Sequence, residues 1–366
     1  MAYTAKTFIG LTGQEITDFI LDWNGDAPAV ESIRLEGPAV ETDHNAFLKE
    51  TRGHAPGDVT EVKLENGILT ISVEPSTNRY DWTLVIGDRK IPRAEFDVQT
   101  RTADDKFERI EEGRVMYRLY TPEASGPRPM ILFLHGGGNG GHEGERDNNK
   151  SIITDYGPVN FAEDYPDIYV MAPMAVEQKM DPSKMNVNAK FAGTSLGTDP
   201  RYGWSRDYLG KVCDIIRRMI KEGKVDPQRI YVTGMSMGGG GTIRAMSVGS
   251  DLFAAAVPVC PTMTPETFSI LKSIRRPIWV TSAYIDHTLY RHKYLVDAVM
   301  AMRDAGNNDA HLTLFSPEDL EKYDISITPD LPYKTLFREN HWSWVPTYKN
   351  EYGIMSWLLN QVREDK

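Results

Sequence analysis

The stretch YVTGMSMGGGG, residues 231–241, places one serine, Ser236, among five glycines and two methionines. It continues an apolar, β-branched run and leads into helix-like residues 242–248. The pattern G-x-S-x-G between a strand and a helix is typical of a nucleophile elbow, a strained turn that exposes the serine above a sheet. Because the same pattern also arises by chance, the surrounding sequence has to support this interpretation.

Apolar runs of strand length recur on both sides of this elbow. They are MILFLH (130–135), DIYVMAP (167–173), RIYVTGM (229–235), AAAVPVC (254–260) and PIWVTSA (277–283). Continuous apolar runs are typical of buried parallel strands. Helix-like segments alternate with them, including 206–221 with one apolar face and a last helix over about 351–363. The sequence predicts a doubly wound, mostly parallel α/β sheet over residues 106–366.

The first 105 residues carry only β signals. The segments 62–65 and 68–73 flank Asn66-Gly67 and predict a hairpin, because Asn-Gly favours a tight two-residue turn. Hydrophobic alternation recurs over 80–86 and 96–98. We predict a small immunoglobulin-like β-sandwich domain over residues 1–105. We expect it to pack against the second domain or a neighbouring subunit, so that a homo-oligomer formed through it is possible.

Composition narrows the class of partner. The 366 residues include 41 Lys and Arg against 52 Asp and Glu, which gives a net charge of −11. This acidity argues against nucleic acid or an anionic membrane as the main partner. The N-terminus lacks the pattern of a signal peptide, and no segment approaches a membrane span. Localisation stays open, with the cytoplasm favoured and secretion possible if a signal peptide was removed.

The two cysteines, Cys213 and Cys260, both lie in apolar runs. We interpret them as buried thiols rather than as a disulfide, because neither context supplies activating charges. The spacing of histidines and cysteines indicates no metal site, and no cofactor motif is found.

A serine nucleophile requires hydrogen-bond donors for the oxyanion that forms when it attacks. His135, Gly136, Gly137 and Gly138 directly follow the strand-like run that begins at residue 130. Glycines there allow substrate to approach the main chain closely. We assign the donors to the N–H groups of Gly137 and Met237, with Gly136 as the alternative to Gly137. His135 is predicted to brace this loop.

The nucleophile also requires an acid and a base, which follow it along the chain in the order acid, then histidine. Asp286 lies just past the strand-like run 277–283, and Asp251, Asp304 and Asp309 are interpreted as surface charges. His341 is the histidine that fills the final position, between Asp286 and the last helix. We therefore predict Ser236, Asp286 and His341 as the catalytic set.

The four pieces ILFLHGGG, GMSMGG, SAYIDH and ENHWSW, in this order, resemble the α/β-hydrolase superfamily. More narrowly they are similar to feruloyl esterases and polyhydroxybutyrate depolymerase-like carboxylesterases, some of which carry an N-terminal immunoglobulin-like domain. The resemblance covers residues 107–366 in motifs and the first 105 in architecture only. This sequence differs from such relatives in two places: Asn340 precedes the histidine where they often have glycine, and the oxyanion loop is longer.

The resemblance implies a serine esterase that acts on a small-molecule ester of short-chain or aryl type and needs no cofactor. Two alternatives remain: a serine peptidase of the prolyl oligopeptidase type, and a catalytically inactive binding module. A β-propeller, which the first would require, needs more repeats than 105 residues supply.

Substrate contacts are expected from the connections after the strands. Residues 174–205 and 316–333 are long and polar, and such loops are often functional. Tyr202 and Trp204 at the end of the first could line a pocket or could pack on the next helix. Trp344, close to the predicted base, is a third candidate for substrate binding.

Overall fold

The computed structural model describes residues 3–11, 13–37, 57–77, 82–100, 103–137, 139–140, 150–153, 155–176, 203–284, 286, 291–323 and 341–364. The chain divides into two compact units. The first contains Met1–Asp105 and Ile153–Asn160, and the second contains Lys106–Ile152 and Phe161–Lys366. Residues 153–160, which the sequence prediction placed in the second domain, are thus grouped with the first unit.

The described part of the first unit contains the strands β1 (Tyr3–Gly10), β2 (Gly13–Asp22), β3 (Ile33–Glu36), β4 (Val59–Glu65), β5 (Ile68–Thr77), β6 (Thr83–Ile86), β7 (Arg89–Pro92) and β8 (Phe96–Thr100). Two sheets result, with strand orders β4-β5-β2-β1-β8 and β3-β6-β7. Side chains from both sheets share one apolar core, in which the rings of Phe19 and Trp82 lie 5.0 Å apart. The predicted all-β domain is confirmed, and its immunoglobulin-like character stays a prediction.

The predicted hairpin is confirmed by strands β4 and β5, which pair antiparallel with Glu65 opposite Ile68. Asn66 and Gly67 between them have φ angles of 53° and 79°. Two successive positive φ angles define the turn whose twist matches that of the flanking strands, which explains the Asn-Gly pair.

The second unit is built on one sheet with the strands β9 (Phe107–Glu112), β10 (Val115–Tyr120), β11 (Arg128–Leu134), β12 (Tyr169–Pro173), β13 (Val225–Met235), β14 (Ala255–Val259), β15 (Ile278–Ala283) and β16 (Ala310–Phe315). Their order is β16-β15-β14-β13-β11-β12-β10-β9. The strands from β11 to β16 pair in parallel, whereas β10 pairs antiparallel with both neighbours. Every predicted parallel strand is present, and the predicted α/β-hydrolase sheet is confirmed.

The described helices are α1 (Lys150–Ile153), α2 (Pro158–Asp164), α3 (Arg206–Lys221), α4 (Met237–Val248), α5 (Pro265–Ser273), α6 (Arg291–Asp304), α7 (Pro317–Glu321), α8 (Trp344–Tyr348) and α9 (Ile354–Leu359). Short 3-10 helices cover Val30–Ser32, Arg93–Glu95, Ala103–Lys106 and Glu351–Gly353. None of these helices combines the length and the apolar character needed to cross a bilayer.

Helix α3 has the predicted bounds, and Ser205 caps its start: the Ser205 hydroxyl accepts a hydrogen bond from the Tyr208 N–H at 3.2 Å. Its buried face joins the core of the second unit, together with side chains from the central strands. The last helix differs from the prediction, since α9 is confined to Ile354–Leu359. Positive φ angles at Tyr352 and Gly353 interrupt the helical backbone before it.

Candidate active site

Ser236 occupies a strained turn between β13 and α4. Its φ and ψ angles are 55° and −113°, a conformation that residues with side chains rarely adopt. Hydrogen bonds fix the turn: the Ser236 N–H donates to the Val259 carbonyl at 2.9 Å, and the Ser236 carbonyl accepts from the Thr262 N–H at 2.8 Å. The predicted elbow is therefore present, and Ser236 is the N-cap of a 12-residue helix.

The glycines around Ser236 are required by close backbone packing. A Cβ atom at Gly234 or at Gly238 would overlap the carbonyl oxygen of Leu134 on β11. At Gly241 it would lie 2.6 Å from the Trp204 ring. Helix α4 begins at Met237, earlier than the helix-like run at 242, because this packing outweighs the poor helix propensity of four glycines.

The structure brings Ser236, His341 and Asp286 together in one hydrogen-bonded line. His341 Nε2 lies 2.9 Å from Ser236 Oγ, and His341 Nδ1 lies 2.8 Å from Asp286 Oδ2. A carboxylate only accepts, so the Nδ1 proton is donated to Asp286 and Nε2 is left to accept from the serine hydroxyl. Asp286 is fully buried, whereas the His341 side chain is 14% exposed.

The predicted oxyanion loop lies against the elbow. A Cβ placed at Gly136 would lie 3.8 Å from the Ser236 Cβ, which puts this residue beside the serine. Gly137 is exposed, and a Cβ there would meet no heavy atom of the described residues within 4 Å. Met237 is the first residue of α4, where backbone N–H groups have no intrahelical partner. Gly138 lies outside the described residues.

His135 is fully buried and holds the loop from beneath. Its Nε2 accepts a hydrogen bond from the Ala175 N–H at 3.1 Å, and its Nδ1 lies 2.8 Å from the Gly136 carbonyl oxygen. Since one nitrogen accepts, the other carries the proton, and the ring is a neutral brace between β12 and the loop. This placement agrees with the bracing role expected from the sequence.

Trp204 packs in the core and does not line a pocket in this structure. It is 0% exposed, its Nε1 donates to the His135 carbonyl at 3.0 Å, and its ring lies 4.8 Å from that of His135. Its ring also lies 6.0 Å from that of Tyr208 on α3, so Trp204 packs on the helix that follows it, the second of the two roles that the sequence allows. Tyr202 lies outside the described residues.

Trp344 packs edge-on against the histidine of the line, with ring centroids 5.7 Å apart at 89°. Trp344 is only 5% exposed, so little of its surface is accessible for the predicted contact with substrate. Trp342, which the sequence prediction did not include, is partly exposed, and its ring lies 5.5 Å from that of Trp344. Of the two rings, Trp342 is the more accessible to a ligand.

Cys260 is a neighbour of this line that the sequence did not indicate. Its Sγ, a carboxylate oxygen of Asp286 and a ring nitrogen of His341 all lie within 4.8 Å of one another. Its position directly after β14, the strand next to β13, is the sequence feature that indicates this location, because the ends of adjacent parallel strands meet at one sheet edge.

The chemistry available at this edge is nucleophilic. A serine hydroxyl, a base that accepts its proton and a buried carboxylate that fixes the base form a complete set for covalent catalysis. Backbone donors beside the serine complete the requirements for acyl transfer.

Comparison with known proteins gives a family model that matches part of the chain and a solved structure with a similar fold. The Peptidase_S9 model, described as the prolyl oligopeptidase family, matches residues 202–316, a range that includes Ser236 and Asp286. A search of curated proteins found no match to this chain. The crystal structure of a thermostable esterase superposes with a TM-score of 0.64 at 19% identity, covering 99% of this chain and 100% of that chain.

Two further solved structures are less similar. Esterase 2 of Thermogutta terrifontis, in its apo form, is 16% identical with a TM-score of 0.39, covering 68% of this chain and 96% of that chain. A ferulic acid esterase is also 16% identical, with a TM-score of 0.35, covering 57% of this chain and 88% of that chain. The likeness over 99% of this chain to the thermostable esterase confirms the fold, an α/β-hydrolase sheet with a preceding β region.

Proposed function

We propose that the chain is a serine carboxylesterase that hydrolyses short-chain or aryl carboxylic esters through an acyl-enzyme. The observation that carries this proposal is the line from Ser236 Oγ through His341 to the buried Asp286, with contacts of 2.9 and 2.8 Å. Its position on a strained elbow at the start of a helix supports a role for Ser236 as nucleophile.

In the first half of the cycle, His341 Nε2 removes the Ser236 proton as Oγ attacks the ester carbonyl carbon. The imidazolium that forms is stabilised by Asp286, whose carboxylate keeps the Nδ1 proton in place. The tetrahedral intermediate then collapses, and the proton on Nε2 passes to the departing alcohol oxygen. The acyl group remains on Ser236.

The negative charge that forms on the carbonyl oxygen needs fixed donors. We assign these to the backbone N–H groups of Met237 and Gly137, with Gly136 as the alternative on the loop. Each such donor contributes about 10²-fold or more in rate. The brace at His135 supports this assignment, because donors act best when they are already oriented before the reaction.

In the second half, water replaces the alcohol. His341 removes a proton from the water as it attacks the acyl carbon, and the same tetrahedral geometry forms again. Collapse of this intermediate breaks the bond to Ser236 Oγ, which takes back its proton. These steps require no cofactor.

The proposed substrate class is supported by the residues around Ser236, His341 and Asp286. The connections 174–205 and 316–333 are polar in sequence and contain no long apolar run of the kind that a helix covering a lipid chain would need. The accessible ring of Trp342, close to His341 in the chain, supports an aryl group on the substrate.

A second candidate is a serine peptidase, which the match of residues 202–316 to the prolyl oligopeptidase family favours. The same nucleophile and base serve amide hydrolysis. The described part of the first unit forms two packed sheets rather than propeller blades, which favours the esterase.

A hydrolysis panel separates the candidates: short- and long-chain p-nitrophenyl esters, methyl ferulate and a proline-containing peptide amide, each with the wild type and Ser236→Ala. We expect turnover of short-chain or aryl esters that is lost in the variant. Faster cleavage of the peptide amide than of the esters would favour the peptidase, and activation by emulsified long-chain triglycerides would contradict the substrate class.

A further inference from the structure

Cys260, Asp286 and His341 bring three different metal-binding groups together beside the nucleophile. The thiol sulfur, a carboxylate oxygen and an imidazole nitrogen lie within 4.8 Å of one another. Cys260 and Asp286 are fully buried, and the histidine gives the group its contact with solvent. Its members come from separate parts of the chain: Cys260 follows β14, Asp286 follows β15, and His341 precedes α8.

The backbone holds the thiol in this position. Cys260 has a φ angle of 34°, unusual for a residue with a side chain, and its N–H donates to the Thr281 carbonyl at 2.7 Å. The conformation is therefore imposed by pairing at the end of β14 rather than by local preference. A thiol fixed next to a carboxylate and an imidazole needs little rearrangement to act as a ligand.

This donor set has a clear preference among cations. Thiolate, imidazole and carboxylate are the ligands of Zn²⁺, at bond lengths of about 2.0 to 2.3 Å, and thiolate also selects other soft cations. Ca²⁺ and Mg²⁺ prefer sites made of oxygen atoms alone. Three ligands within 4.8 Å approach the spacing of a tetrahedral centre that keeps one position for solvent.

We propose that Cys260, Asp286 and His341 form an inhibitory site for a thiophilic divalent cation, represented by Zn²⁺ or Cd²⁺. On binding, the Cys260 thiol releases its proton to solvent and forms a metal–sulfur bond. A carboxylate oxygen of Asp286 and one nitrogen of His341 supply lone pairs to the same ion.

The bound ion inhibits the enzyme whichever nitrogen of the His341 ring it takes. If the ion takes Nδ1, the ring proton moves to Nε2, which then cannot accept the Ser236 proton. If it takes Nε2, that lone pair is used directly. The effect on turnover rests on the proposed function, whereas the binding itself does not.

Binding is tested directly by adding Cd²⁺ to the reduced wild-type protein and following the ultraviolet charge-transfer absorption of a cadmium–thiolate bond. We expect one equivalent to produce the band, and we expect Cys260→Ala to lack it. Cys213→Ala is the matched control: burial raises the pKa of the Cys213 thiol to about 12, and no metal-binding cluster among the described residues includes it. A band that persists in Cys260→Ala, or no band with folded wild type, would overturn the site.

Turnover gives the second measurement. Each variant is compared with its own rate without metal, in a buffer that does not chelate. We expect Zn²⁺ to inhibit the wild type and Cys213→Ala at the same concentration, with recovery on adding EDTA, and the half-inhibiting concentration to rise at least tenfold in Cys260→Ala. Equal inhibition of Cys260→Ala, or equal inhibition by Mg²⁺, would contradict the proposal.

If Cys260→Ala does not fold, Cys260→Ser takes its place, because a hydroxyl preserves size and polarity but binds soft cations poorly. The two measurements also separate this proposal from the proposed function. A cadmium–thiolate band at Cys260 in a protein that hydrolyses none of the esters would support the site and contradict the esterase. Turnover without the band would do the reverse.

Discussion

A Cβ atom placed at Gly238 would overlap the carbonyl oxygen of Leu134, because the first turn of α4 packs directly on the end of β11. This contact joins the strand before the oxyanion loop to the helix after the nucleophile. It explains why the elbow needs a residue without a side chain at this position, independently of any substrate.

We therefore predict that Gly238→Ala lowers the free energy of unfolding by at least about 3 kcal/mol or prevents folding, since the atoms that the new Cβ would meet are backbone atoms of Leu134 and His135, which cannot yield. Gly137→Ala is the control, because its Cβ would meet no heavy atom of the described residues within 4 Å. Thermal unfolding measures both. Equal melting temperatures for the two variants would show that the packing at the elbow is not as described.

Ser236→Ala and His341→Ala are each expected to reduce kcat for esters by several powers of ten, because members of such a set act as one unit. Circular dichroism should show that both variants remain folded. Ser250→Ala, an exposed serine after α4, serves as the control and should keep full activity.

Asp286→Asn is expected to reduce kcat by about 10³- to 10⁴-fold. The asparagine amide can donate to Nδ1, which favours the tautomer with its proton on Nε2, and that tautomer cannot accept from Ser236. Asp251→Asn should be nearly neutral for catalysis, because Asp251 pairs with Arg217 at the surface. Full activity in Asp286→Asn would assign the acid to another carboxylate.

His135→Leu tests the brace beneath the oxyanion loop. It removes the acceptor of the Ala175 N–H and should cost about 1 to 3 kcal/mol of stability. We expect kcat to fall more than KM rises, because the loop donors act mainly on the transition state. His311→Leu on β16 removes a half-buried histidine elsewhere in the sheet and should leave kcat unchanged.

The ion pair between Glu112 on β9 and Arg218 on α3 predicts a pH effect on stability. The Arg218 guanidinium holds the pKa of the Glu112 carboxyl below its usual value of 4.5. A carboxyl whose folded pKa is depressed stabilises the fold above its unfolded pKa and loses this contribution as the pH falls.

Glu112→Gln should therefore lower the melting temperature at neutral pH. The loss in the free energy of unfolding should be at most about 1 kcal/mol, because the pair is partly exposed. The difference from wild type should shrink from about pH 5 to about pH 3. Glu108→Gln, exposed on the same strand, is the control. A difference that grows as the pH falls would contradict a stabilising role for the ionised Glu112 carboxylate.

The parallel strands were predictable because they are buried on both faces and read as continuous apolar runs. The sequence does not predict β9 or β10 as strands; β9 lies at the sheet edge and has the sequence FERIEE, whose charged side chains are mostly exposed. The last helix was predicted too long, because the positive φ angles at Tyr352 and Gly353 are a backbone property that apolar periodicity does not encode.

Within the site, order along the chain was enough to select Ser236, Asp286 and His341, because β13 and β15 are parallel strands that end at one edge of the sheet and His341 fills the last position before α8. Sequence could not decide whether Trp204 faces substrate or the core, since both roles suit a tryptophan after a loop. The position of Cys260 directly after a predicted strand indicates the sheet edge, but its contact with Asp286 depends on the order and alignment of the strands, which the sequence does not show.

Trapping the intermediate tests whether Ser236 is acylated with His341 as its base. The protein is mixed with p-nitrophenyl acetate, quenched in acid within the first turnover and examined by intact-mass and peptide mass spectrometry. We expect the mass of one acetyl group on the peptide that contains Ser236, and none in Ser236→Ala or His341→Ala. An acetyl group on another residue, or rapid hydrolysis with Ser236 unmodified at every time point, would contradict it.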